Sequence, residues 1–237
     1  MDSYSSEPTV LKLNSPPTAE LLAKTLGYHR HVMTEPDDSE SSSLLDYVIA
    51  HGRLREHAAR RLAQQIASAL AFCHHRRIVH RDIKLENIIL SRTGDARITN
   101  FGLSAVFDPQ GHLSTYCGTS YFPAPEMISQ KPYVGPEIDV WGFGAVLYIL
   151  VCGRVPFDAR EMDTLHAKIK SGLVEYPFHL SPECKNLLGR MLTVDPASRA
   201  LLSEVVSHPW MTNNDTRSLS LLKRVKKIPH ELLQLSH

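Results

Sequence analysis

Apolar positions first fall into helical register at Leu44, Leu45, Val48 and Ile49, which share one face at i,i+4 spacing and predict a short helix closed by Gly52. In the longer helix that follows, Leu62, Ile66, Leu70 and Cys73 form an apolar stripe opposed by Arg60, Arg61, Gln64 and Gln65. It ends in His74-His75-Arg76-Arg77, basic groups that suit the negative end of a helix dipole and read as a solvated helix end. The period then changes. Ile88-Ile89-Leu90, the turn residues 91–95 and the alternation of Ala96 and Ile98 predict a β-hairpin that holds the residues on either side of it in fixed relation. Residues 99–134 carry turn formers and no period, a loop long enough to suggest a function of its own. Helical patterns return over 137–152, 162–171, 182–192 and 201–207.

Residues 1–43 are poor in aromatics and rich in Ser, Pro, Thr, Asp and Glu, so little of this stretch sustains a core. Only a weak helical pattern over 18–33 interrupts it. The expected organisation is a mostly disordered stub over 1–43, a folded domain over 44–211 and a tail over 212–237 with a basic cluster at 223–227. A formal charge of +1 gives no reason to expect nucleic acid as a partner. The most apolar run, 140–151, is too short to span a bilayer, so no integral membrane association is expected. Four scattered cysteines without a C-x-x-C pair fit a reducing compartment, and a cytoplasmic location is expected.

The candidate chemistry lies between these helices. His80-Arg-Asp-Ile-Lys-Leu-Glu-Asn87 follows the pattern H-R-D-x-x-x-x-N, Asn100-Phe-Gly102 stands eighteen residues after Asp82, and Ala124-Pro-Glu126 and Asp139-Val-Trp-Gly-Phe-Gly144 come later in order. With these motifs the chain resembles the serine/threonine protein kinases of the calcium/calmodulin-dependent-like group, and within it the fungal relatives of the microtubule-affinity-regulating (MARK) kinases. The wording of Leu45–Gly52, Val146–Phe157, Leu165–Lys170 and Ser207–Trp210 supports that subgroup.

The resemblance implies an α+β fold, a mainly helical kinase large lobe with one or two short β-hairpins. It implies ATP and Mg²⁺ as cofactors and a protein as substrate or partner. It makes Asp82 the group that orients the substrate hydroxyl, Lys84 the cation facing the phosphoryl group, Asn87 a Mg²⁺ ligand and Ile89 a nucleotide contact. Arg81 would pair with a phosphate at Thr115, and Thr119 would buttress Asp82 and Lys84. Glu86 would read a basic substrate residue, Glu126 and Arg199 would tie the loop end to the lower helices, and Asp139 would brace the catalytic loop.

Two departures qualify that picture. Asn100, the second expected Mg²⁺ ligand beside Asn87, is a neutral amide where the family places the metal-bridging Asp, which removes a negative charge from the site and makes it a weaker ligand. Before Leu44 there is neither a G-x-G-x-x-G-x-V loop nor a V-A-I-K strand, so the small lobe is expected to be essentially absent and ATP binding weakened. The sequence therefore leaves three readings: a kinase with impaired activity, a pseudokinase serving as a protein-interaction module, and a truncated gene product.

Overall fold

In the computed structural model, which describes residues 42–91, 93–114 and 121–213, helix α1 (Leu44–His51) begins where Ser43 accepts the Asp46 amide proton on its hydroxyl. It stops at Gly52, whose φ of 71° few side chains adopt. Helix α2 (Glu56–His75) buries Leu62, Ile66 and Leu70 as its stripe predicts. Helix α4 (Pro136–Cys152) is apolar on all sides and accordingly buried on all sides from Ile138 onward. Around it pack α2, α6 (Pro182–Met191) and α7 (Leu202–Ser207), while α5 (Met162–Ser171) and α8 (Pro209–Thr212) complete the helical body. No helix among the described residues is long and apolar enough to cross a membrane.

Small sheets hold the loops that matter. β3 (Ile88–Leu90) and β4 (Ala96–Ile98) form the expected hairpin, with Ile88 opposite Ile98, and β1 (Ser42–Ser43) adds to its other side in the order β1-β3-β4. Ser42 and Ser43, at the end of the stretch expected to lack order, are thus strand residues. Gln65 accepts the Ala96 amide at 2.7 Å and fastens the hairpin to α2.

The second antiparallel pair is not a hairpin. β2 (Ile78–Val79) pairs with β5 (Ala105–Val106), a strand far along the chain. β5 also corrects the reading of 99–134 as structureless loop, since that segment holds a 3₁₀ turn (Phe101–Leu103), β5 and α3 (Pro125–Ile128). The weak helical pattern over 18–33 and the basic cluster at 223–227 lie outside the described residues.

Glu56 at the first turn of α2 joins three helices. Its carboxylate accepts the Ser181 amide and hydroxyl at the start of α6, and the Trp210 indole N–H from α8, each at 2.7 Å. Burial pulls its pKa up, but these donors and nearby Arg60 outweigh that and hold it below the ordinary 4.5. A folded pKa below the unfolded one places the clamp's contribution above about pH 4.5 and removes it as pH falls through the folded value. Urea midpoints should therefore be higher for the native chain than for Glu56→Gln at pH 7, and the gap should close on acidification toward pH 3. A gap that stays constant with pH would refute the assignment.

Candidate active site

The segment His80–Asn87 leaves β2 with its backbone in an unfavourable shape, Arg81 standing at φ 65°. A left-handed residue with a Cβ costs roughly 1–2 kcal/mol, and Asp139 on α4 offsets it. Its buried carboxylate accepts the His80 amide on Oδ2 at 2.9 Å and the Arg81 amide on Oδ1 at 2.8 Å. Oδ2 also meets His74 Nε2 at 2.7 Å. His74 is thus not part of a solvated helix end; its side chain is 8 % exposed and packed edge-on against Phe107. No local pattern in the sequence links it to Asp139. The loop lies so close to α4 that a Cβ on Gly142 would sit 2.8 Å from the Ile83 carbonyl.

Fully buried His80 donates from Nε2 to the Thr99 carbonyl and accepts the Asp82 amide on Nδ1, which assigns the Nε2–H tautomer. Asp82, 2 % exposed, then holds two of the other candidate site residues. Lys84 Nζ lies 3.1 Å from its Oδ2. Asn87 Nδ2 donates to the same Oδ2 at 3.0 Å and to the Asp82 carbonyl at 2.7 Å. Both Asp82 atoms are acceptors, so Asn87 must present its NH₂ to them and turn its Oδ1 away.

Asn100 meets that oxygen. The β3–β4 hairpin closes with the Thr99 amide on the Asn87 carbonyl at 2.9 Å, which brings the two asparagines together across its base. Asn100 takes the left-handed conformation, φ 62° and ψ 61°, and donates Nδ2 to Asn87 Oδ1 at 3.1 Å. An aspartate there has no N–H to give. The 3₁₀ turn that follows sets the Phe101 ring edge-on to His80, centroids 4.8 Å apart.

The other predicted residues are placed as follows. Ile89 is half-buried on β3. Glu86 lines a cleft with Ile83, Tyr121, Phe122, Val146 and Ile149, and burial there pushes its carboxyl pKa up. Lys84 lines the same cleft, and its charge opposes that rise. Arg199 spends all five N–H groups: two on the Glu126 carboxylate at 2.7 and 2.8 Å, the rest on the carbonyls of Thr193, Glu137 and Val194. Arg81 donates Nε to the Leu103 carbonyl at 2.7 Å and Nη1 to the Tyr133 hydroxyl at 3.3 Å. Thr115 and Thr119 lie outside the described residues. Tyr133, which nothing in the sequence pattern singled out, is drawn into this set through its hydroxyl.

Residues 19–211 match the model of the protein kinase domain. The chain belongs to that family. The match begins ahead of residue 44, where the apolar pattern places the start of the folded domain. Protein kinase kin1 of Schizosaccharomyces pombe is 55 % identical over 74 % of this chain and 20 % of its own length. Serine/threonine-protein kinase ppk25 of the same yeast is 45 % identical over 72 % of the chain and 41 % of its own length. The Dictyostelium discoideum protein named "Probable serine/threonine-protein kinase MARK-A" is 40 % identical over 90 % of the chain and 20 % of its own length. The resemblance to serine/threonine kinases with fungal, MARK-like relatives therefore stands, and the chain spans between about a fifth and two-fifths of these proteins.

Proposed function

We propose that this kinase domain binds a basic protein segment in the manner of its family but transfers phosphate to serine or threonine only weakly. In this reading Asp82 orients the substrate hydroxyl and takes its proton, and Lys84 faces the transferring phosphoryl group. The half-buried carboxylate of Glu86, in a largely apolar cleft that it shares with Lys84, is where a substrate Lys or Arg side chain docks. Ile89 lies beneath the nucleotide, and Thr119 steadies Asp82 and Lys84.

The observation that carries the weakness is the hydrogen bond from Asn100 to Asn87 Oδ1. Mg²⁺ demands oxygen ligands and is usually held through one or two carboxylates. Here the carboxylate is replaced by an amide, and the amide's N–H occupies the oxygen that Asn87 would turn to the ion. This pair does not fit the metal. The 237 residues hold neither a G-x-G-x-x-G-x-V nor a V-A-I-K motif.

A second reading, a pseudokinase acting as a protein-interaction module, is favoured by the same contact, since docking needs Glu86 and its cleft but not the metal. The test is transfer from Mg-ATP or Mn-ATP to a basic Ser/Thr peptide, with Asp82→Asn as blank. Turnover close to the blank is expected, with the peptide still bound in both proteins; turnover far above it would overturn the claim of weakness. Loss of peptide binding in Glu86→Gln alone would support the docking role.

A further inference from the structure

Helix α8 begins on an imidazole with one lone pair to give. His208, between α7 and α8, is 6 % exposed and accepts the Trp210 amide on Nδ1 at 3.1 Å. Its Nε2 lies 2.9 Å from Asn186 Oδ1 on α6. A ring that accepts on Nδ1 carries its proton on Nε2, so neutral His208 donates to the Asn186 side-chain oxygen. Pro209 has no amide hydrogen, which leaves Trp210 as the first donor of α8 and His208 as its cap. Contacts to α2 hold the rest of the helix: the Trp210 indole to Glu56, the Met211 carbonyl to Gln64 at 2.7 Å, and the Trp210 carbonyl to Arg60.

We propose that His208 is a pH-sensitive latch on α8: neutral, it caps the helix, and protonated, it turns an N–H toward the Trp210 amide and uncaps it. The bond to Asn186 survives, because Nε2 carries a proton in both forms. Charged groups reach this junction from three helices. α6 presents Arg190, whose cation opposes a second one, and Glu183, which favours it. α7 presents Glu204, paired with Arg190. α2 presents Glu56 and Arg60, both bound to Trp210. Burial and Arg190 outweigh Glu183 and hold the imidazole pKa below its ordinary 6.5. A folded value below the unfolded one leaves the cap complete above about pH 6.5 and removes it as pH falls through the folded value. The Glu56 clamp on the same helix acts in a separate range, below 4.5. Acidification through the histidine range therefore loosens α8 at its first turn while its contacts to α2 remain.

Hydrogen exchange of the native full chain tests this, read at the amides of Trp210, Met211 and Thr212 against those of α4 and corrected for the intrinsic pH dependence of exchange. Between about pH 7.5 and about pH 5.5, protection in α8 should fall roughly threefold to tenfold relative to α4, the size expected of one lost cap. His208→Asn keeps an uncharged side-chain acceptor at the cap position and should hold that ratio constant. In the native protein, the NMR titration of the His208 ring should share its midpoint with the loss of protection. A ratio that does not move with pH in the native chain, or that moves equally in His208→Asn, overturns the proposal. So does a ring midpoint that lies apart from the loss, which would place the switch in another group. The ring titration needs no variant and decides the matter alone if His208→Asn does not fold.

Discussion

Replacing Arg199 by leucine should destabilise the domain by about 3–5 kcal/mol, the cost of leaving one partner of a buried ion pair uncompensated. The arginine side chain is 0 % exposed and that of Glu126 2 %. Removing the guanidinium strands a carboxylate in the core, and with it the carbonyls of Thr193, Glu137 and Val194 lose their donor. Its position 5.0 Å over the Trp141 ring adds a packing loss. Urea unfolding at pH 7 measures the effect directly. The double variant Arg199→Leu, Glu126→Leu should be more stable than Arg199→Leu alone, because no charge is left behind; a double variant less stable than the single would show that the carboxylate is not what destabilises it. Because α3 carries Glu126 and α4 carries the Glu137 carbonyl, local disorder should spread through α3, at the far end of the long loop, before the helical body melts.

Restoring a carboxylate in Asn100→Asp is expected to raise phosphoryl transfer by about 10²–10³, the range found for single electrostatic contributors to a transition state. Two effects add. The N–H that occupies Asn87 Oδ1 disappears, and a negative charge appears where divalent cations are held in this family. Aspartate tolerates the left-handed backbone that Asn100 adopts, so the substitution adds no strain. Initial rates at saturating Mg-ATP, with the Asp82→Asn blank subtracted, provide the check. No gain in a folded Asn100→Asp protein would mean that the limit on catalysis lies elsewhere, above all in contacts to the nucleotide.

Helices α1, α2, α4, α5, α6 and α7 were legible because each carries an uninterrupted apolar face, and the hairpin because its turn residues stand between two alternating runs. The β2–β5 pair was not legible: two residues each, joined across 26 positions from Val79 to Ala105, leave no local period to read. Nor was α3, four residues started by Pro125 inside a loop rich in turn formers. The site divides in the same way. Asp82, Lys84, Asn87 and Asn100 stand in motifs whose spacing the hairpin preserves, so the sequence finds them. The direction of the Asn100 amide, the grip of Tyr133 on Arg81 and the bond from His74 to Asp139 depend on side chains meeting across elements 13, 52 and 65 residues apart. Such meetings follow from packing and have no signature along the chain.

The exchange of a carboxylate for an amide at position 100 is tested most directly by titrating Mn²⁺, a spectroscopic stand-in for Mg²⁺, into the native protein and Asn100→Asp and following free ion by electron paramagnetic resonance. Binding to the native protein at least about tenfold weaker than to Asn100→Asp is the expected result, in line with the effect of altering a metal site's ligands and their supports. Equal affinities in the two proteins would contradict it, and with it the proposal that Asn100 is what weakens this kinase.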